Sequence, residues 1–189
     1  KADLAFTMHM LSWLSADGTA AIVEFPGVLY RGGAEGKIRT YLVQNNFVDT
    51  VIQLPPNLFY GTTIATCIIV LKKSKKTSDV LFIDASKEFV HVGNLNNLSD
   101  ENIERIYRTH MDREEIQYFS KLVSNDDIVA NDANLSVSSY VEPGGYPARK
   151  DRTPKELNAQ IEQIVAREDE CAVPSTPSWR IWRRRDEQN

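Results

Sequence analysis

The chain has 189 residues, 42% of them hydrophobic and 25% charged, with a formal net charge of -4. This composition supports a packed core and excludes a wholly disordered or low-complexity chain. The mildly acidic balance gives no overall electrostatic pull toward nucleic acid and leaves that role to local basic patches. The two cysteines, Cys67 and Cys171, stand far apart in no metal-ligand spacing, so neither a disulfide framework nor a zinc site is expected. The longest apolar run, 64–71, is too short to span a bilayer. The first residues carry Asp3 and lack a small-residue cleavage site, so a cytoplasmic location is the expectation.

Leu4, Met8, Leu11 and Leu14 recur at helical spacing and predict a helix over 2–15. The turn "ADG" ends it. Residues 19–25, "TAAIVEF", read as a buried strand stopped by Pro26-Gly27. A second helix is predicted over 33–45, with Ile38, Leu42 and Val43 inward. Strands follow at 47–54, 64–73 and 77–86. Helix and strand alternate as in an α/β layer structure with a largely parallel sheet. The links 55–63 and 72–79 are too short for crossover helices, so the third strand should run against its sequence neighbours.

After residue 86 the pattern changes. Helices are predicted over 99–111 and 113–123. Ser99 is a candidate N-cap, but Asn102 stands where a capping box wants Glu or Gln. Residues 127–142 read as irregular, with short strand-like ends around Asn131-Asp132. "PGGYP" at 143–147 is a breaker cluster. An amphipathic helix is expected over 154–170, with Pro154 in its first turn.

Two stretches imitate known sites. In "GVLYRGGAEGKIR" (27–39), Gly32 and Gly36 are separated by three residues and Ile38 follows Lys37. A phosphate-binding loop wants four residues and a hydroxyl. Those glycines are read as an exit from a strand into a helix. "LPPN" (54–57) resembles the adenine-methyltransferase tetrad, but Leu54 cannot accept a hydrogen bond through its side chain and Asn57 cannot stack. It is read as a stiff strand exit. His9, His91 and His110 share no spacing suited to a metal or a catalytic triad.

The ordered set of segments carries a resemblance. "ADLAFTMHMLSWL", "DGTAAIVEFPGVLYRGGAEGKIR", "VIQLPPNLFYGTTIATCIIVLKK", "FIDAS" and "NDANLSVSSYV" resemble the later part of the modification (M) subunit of type I restriction-modification systems, the HsdM-like adenine-specific DNA methyltransferases. The resemblance covers about residues 1–170. It implies the C-terminal half of a Rossmann-like methyltransferase sheet, parallel with an antiparallel seventh strand, followed by a helical extension. Residues 19–25, 47–54 and 64–72 would be its fifth, sixth and seventh strands. The family's glycine-rich S-adenosylmethionine turn and catalytic tetrad are absent, so no catalytic or cofactor-binding residue is expected in this chain. It would be a C-terminal fragment, inactive alone, with both motifs upstream of Lys1 and an open apolar edge on the first strand.

By the same resemblance, Phe59 stands where related enzymes stack an aromatic on the flipped target base; the alternative is a core plug. Tyr60 is a second candidate. Arg31, Lys72 and Lys73 are candidate DNA contacts, although lysines at a strand end, as in the cluster 72–76, are more often a solvated edge. The implied organisation is a methyltransferase portion (1–86), a mixed continuation (87–146), a C-terminal helix (147–171) and an atypical tail (172–189). The helix would dock on the specificity (S) subunit or fold back on its own domain. The tail's Trp179, Trp182 and arginines 183–185 could grip nucleic acid or form a foreign end. Implied partners are DNA, the S subunit, a second M subunit and the restriction (R) subunit, with no membrane. The alternative function is a non-catalytic protein-interaction module.

Overall fold

The structure is a computed structural model and describes residues 2–143. The chain divides into two compact units, Lys1–Gly145 and Tyr146–Asn189, and the described residues belong to the first. The expected helix at 154–170 and the tail at 172–189 lie outside the described residues.

Helix α1 (Asp3–Trp13) leads into strand β1 (Thr19–Glu24), a 3-10 turn (Pro26–Leu29) and helix α2 (Ala34–Gln44). Gly33 begins α2 with φ 70°, a left-handed conformation that suits glycine. Strands β2 (Val48–Gln53), β3 (Cys67–Lys72) and β4 (Asp79–Asp84) follow, then a small hairpin of β5 (Val90–Val92) and β6 (Leu95–Asn97). Helix α3 (Asp100–Asp112), strand β7 (Ser120–Ser124), the short helix α4 (Asn125–Ala130) and a 3-10 turn (Val137–Ser139) complete the described chain.

The main sheet has the order β1-β3-β2-β4-β7. β2 and β4 are parallel, and β3 runs antiparallel to both β1 and β2. The reversal deduced from short links is therefore present, with the third strand inserted between the first and second. β7 is a second reversed strand, antiparallel to β4, where only one was expected.

The two faces have separate cores. Val51, Ile69, Leu71, Val80 and Phe82 pack on the side covered by α1, α2 and α4. Ile52, Leu81 and Ile83 pack on the other side with Ile106 of α3 and with Phe119, which precedes β7. A bulge in β2 between Val48 and Thr50 explains why Val48 and Val51, three residues apart, share one face. It also turns both Asp49 and Thr50 toward the end of α3. Thr50 Oγ1 lies 2.9 Å from His110 Nδ1, and Arg113 donates to Asp49 Oδ1 at 3.1 Å. Burial lowers the pKa of His110, against the opposing pull of Asp49. Lys75 donates to the Val48 carbonyl at 2.8 Å, and burial lowers its amine to about 8.

Four local expectations are corrected. β1 is not buried, although it does stand at the open edge that the resemblance implied: its residues alternate between exposed and half-buried, because only β3 pairs with it and α1 lies on one face. No helix runs over 113–123. Arg113 and Tyr118 take positive φ values of 51° and 63°, which ends α3 and turns the chain into β7. Ile116 and Phe119 have helical spacing, but both pack on the far face of the sheet as part of this turn. Residues 125–130 form a helix where irregular chain was expected, and no strand flanks Asn131-Asp132. The box at Ser99 is complete with asparagine: Asn102 N donates to Ser99 Oγ and Ser99 N donates to Asn102 Oδ1 at 3.0 Å.

Candidate base-binding site

The parallel strands β1 and β2 end on the same side of the sheet, the side where open α/β sheets gather their ligand sites. A cavity of about 410 Å³ opens there against β1. Three phenylalanines from three separate segments reach it: Phe6 of α1, Phe25 just past β1, and Phe59 of the loop between β2 and β3. Phe25 and Phe59 are 49% and 41% exposed, so each keeps part of its ring free. Ile22 and Val23 add apolar wall, Thr62 and Thr66 add hydroxyls, and Asp3 and Glu24 are the acidic groups.

The loop carrying Phe59 starts at Leu54 and is closed at its base. Leu54 N donates to the Thr66 carbonyl at 2.9 Å, and Gln53 Nε2 donates to the same oxygen at 3.1 Å. Leu58 packs into the core beneath α3, which turns its neighbour Phe59 outward. The side chain is therefore not the core plug that a sequence reading allows. Tyr60 is 94% exposed at the loop's tip.

Burial raises the pKa of Glu24, nearby Asp3 raises it further, and a hydrogen bond from Thr7 opposes both. Burial also pushes the Cys67 thiol up to about 12, and its Sγ donates to the Glu24 carbonyl. Cys67 is thus a core residue rather than a nucleophile.

Arg31 stands near the rim, 3.7 Å from Glu35 and 4.0 Å from Asp3. Its guanidinium lies across Gly27, where a Cβ would come within 2.3 Å of it. The Arg31 side chain therefore fills the space at Gly27, whereas Gly32 and Gly33 have open space beside them. The buried Arg39 fixes this turn by donating to the carbonyls of Val28, Arg31 and Ala133 at 2.7–2.9 Å.

Lys72 and Lys73 lie at the opposite end of β3, roughly 17 Å from Cys67 at strand rise. Lys73 donates to the Leu14 carbonyl. The structure thus brings Phe59, Tyr60 and Arg31 to one end of the sheet and leaves both lysines at the other. Sequence reasoning missed Phe6 and Phe25. Phe25 carried a usable signal, since it ends a strand immediately before Pro26-Gly27.

A mixed sheet with a reversed strand inserted beside its parallel neighbours, and an aromatic-lined cavity at the strand ends, defines a methyltransferase-type α/β domain. The N-6 DNA Methylase family model matches residues 1–146, and the chain belongs to that family. It is 49% identical over 166 residues to the type I restriction enzyme MpnII methylase subunit of Mycoplasma pneumoniae, covering 87% of this chain and 30% of that protein. It is 39% identical to the MjaVII methylase subunit of Methanocaldococcus jannaschii, covering 75% of this chain and 25% of that protein. The crystal structure of a type I restriction-modification methyltransferase subunit from Streptococcus thermophilus superposes with a TM-score of 0.73 at 48% identity, over 75% of this chain and 31% of that one. The chain thus spans about a third or less of the length of these relatives. Among the described residues no helix is long and apolar enough to cross a membrane.

Proposed function

We propose that this chain forms the base-closing part of the modification subunit of a type I restriction-modification system, an adenine-specific DNA methyltransferase. S-adenosylmethionine would supply the methyl group to the exocyclic amine of a flipped adenine. No step on the described residues is assigned to it in this reading. What this chain contributes is a π-face. A base swung out of the duplex loses its stacking partners, and an aromatic wall restores them. The half-exposed ring of Phe59 at a cavity flanked by Phe6 and Phe25 carries this reading. The cavity volume of about 410 Å³ falls in the ~300–1,000 Å³ range of small-molecule sites.

Arg31 and Tyr60, at the same end of the sheet, are the proposed contacts to the DNA around the flipped base. Lys72 and Lys73 would reach phosphates only on a duplex passing the far end of β3. The proposed partners are DNA, the S subunit, a second M subunit and the R subunit. On its own the 189-residue chain does not methylate DNA in this reading, and any transfer from labelled cofactor by the isolated chain would overturn that statement. The base contact is tested in the assembled methyltransferase. Phe59→Ala should lower methylation by about 100-fold or less, with stability nearly unchanged, whereas Phe59→Tyr should retain most activity. Full activity in Phe59→Ala would remove the base-stacking role.

A further inference from the structure

The loop that carries Phe59 is gripped from outside by the β5–β6 hairpin, and the grip is made by two asparagines. Asn96 Nδ2 donates to the Pro56 carbonyl at 2.7 Å, and the Asn96 main-chain N–H donates to the Asn57 carbonyl at 2.9 Å. In return, Asn57 Nδ2 donates to the Asn94 carbonyl at 2.6 Å. Asn57 holds φ 55°, a left-handed conformation that asparagine tolerates better than most residues. Asn96 is only 5% exposed. Its Oδ1 is buried without a partner, so the amide has one useful orientation: a flip would set oxygen against the Pro56 oxygen. The hairpin contributes no ring to the cavity, and β5 is exposed throughout.

We propose that Asn96 is a positioning residue for the target base. By fixing the main chain at Pro56 and Asn57, two to three residues before Phe59, it sets where the Phe59 ring stands against the cavity. This rests on the base-stacking role proposed above. The prolines stiffen the loop and Leu58 anchors it, but neither fixes its sideways place. The three hydrogen bonds to the hairpin do.

The test is a double-mutant cycle in the assembled methyltransferase, with 2-aminopurine at the target position as a probe of stacking. Asn96→Asp keeps the size of the side chain and removes its donor to Pro56. Methylation turnover should fall roughly 10-fold, with KM for DNA within about twofold, and the flipped 2-aminopurine should fluoresce more strongly as it loses its stacking partner. In the Phe59→Ala background the same change should add nothing, because the ring it positions is gone. Should Asn96→Asp unfold the hairpin, Asn57→Gly keeps the left-handed backbone, removes the bond to Asn94, and should show the same dependence on Phe59. Equal losses in both backgrounds, or unchanged 2-aminopurine fluorescence, overturn the positioning role while leaving the stacking role intact. Full activity in Phe59→Ala alone overturns the stacking role, and the positioning role with it.

Discussion

β4 and β1 belong to one sheet yet meet different surroundings. The interior of β4 is wholly buried, and Phe82 at its centre packs on Tyr140 with ring centroids 4.4 Å apart. β1 pairs on one side only, and Val23 and the adjacent Phe25 are each about half exposed. Two neighbours and two covered faces make β4 the anchor of the fold. One neighbour and one covered face leave β1 with apolar surface available for binding. In the proposed reading, stability and recognition thus occupy different strands of the same sheet.

The contrast can be broken most directly at its extremes. Phe82→Ala should cost about 3–5 kcal/mol of unfolding free energy, read by urea denaturation, whereas Phe25→Ala should cost about 1 kcal/mol or less. Similar costs would show that β1 bears as much of the fold as β4. Arg39→Met should come next. It leaves three main-chain carbonyls without their donor and should cost about 2–4 kcal/mol. Arg39→Lys should recover only part of this, since an ammonium cannot span carbonyls set for a planar fork.

Lys75 sharpens the comparison through pH. Its pKa is lowered in the folded state to about 8, from 10.5. Below pH 8 both states hold the proton and the full cost of burying the charge is present. As pH rises from 8 to 10.5 the folded state releases its proton first, so stability should rise. Relative to Lys75→Met, the gain should be roughly 1 kcal/mol after allowance for solvent screening, measured by denaturation on either side of that window. A flat difference would mean that the amine is well solvated. The smallest stability effect is expected at Val23→Lys, within about 0.5 kcal/mol. That change should instead reduce concentration-dependent association seen by sedimentation, because a lysine blunts an apolar edge.

Much of the first ninety residues was legible because their signals are local. The stripe of Leu4 and Leu11, the Pro26-Gly27 stop and the short links around β3 each report on a few neighbouring residues. Phe59 was reached through the resemblance, but its ring could have been read as a core plug. Only the inward packing of Leu58 shows that the ring is left free. Phe25 was missed despite its place at a strand end before Pro26-Gly27, and Phe6 because no spacing along the chain announces a cavity shared by three segments.

The sequence by itself determined α1, α2, α3, the four strands β1 to β4 and the reversal of β3, since periodicity, turn residues and link length suffice for these. Tertiary structure alone decided that 120–124 pairs as a strand and that a distant hairpin grips the Pro56–Asn57 main chain. Each of these depends on which surface a segment meets after the chain has folded, and hydrogen bonding and burial against remote partners outweigh local preference there.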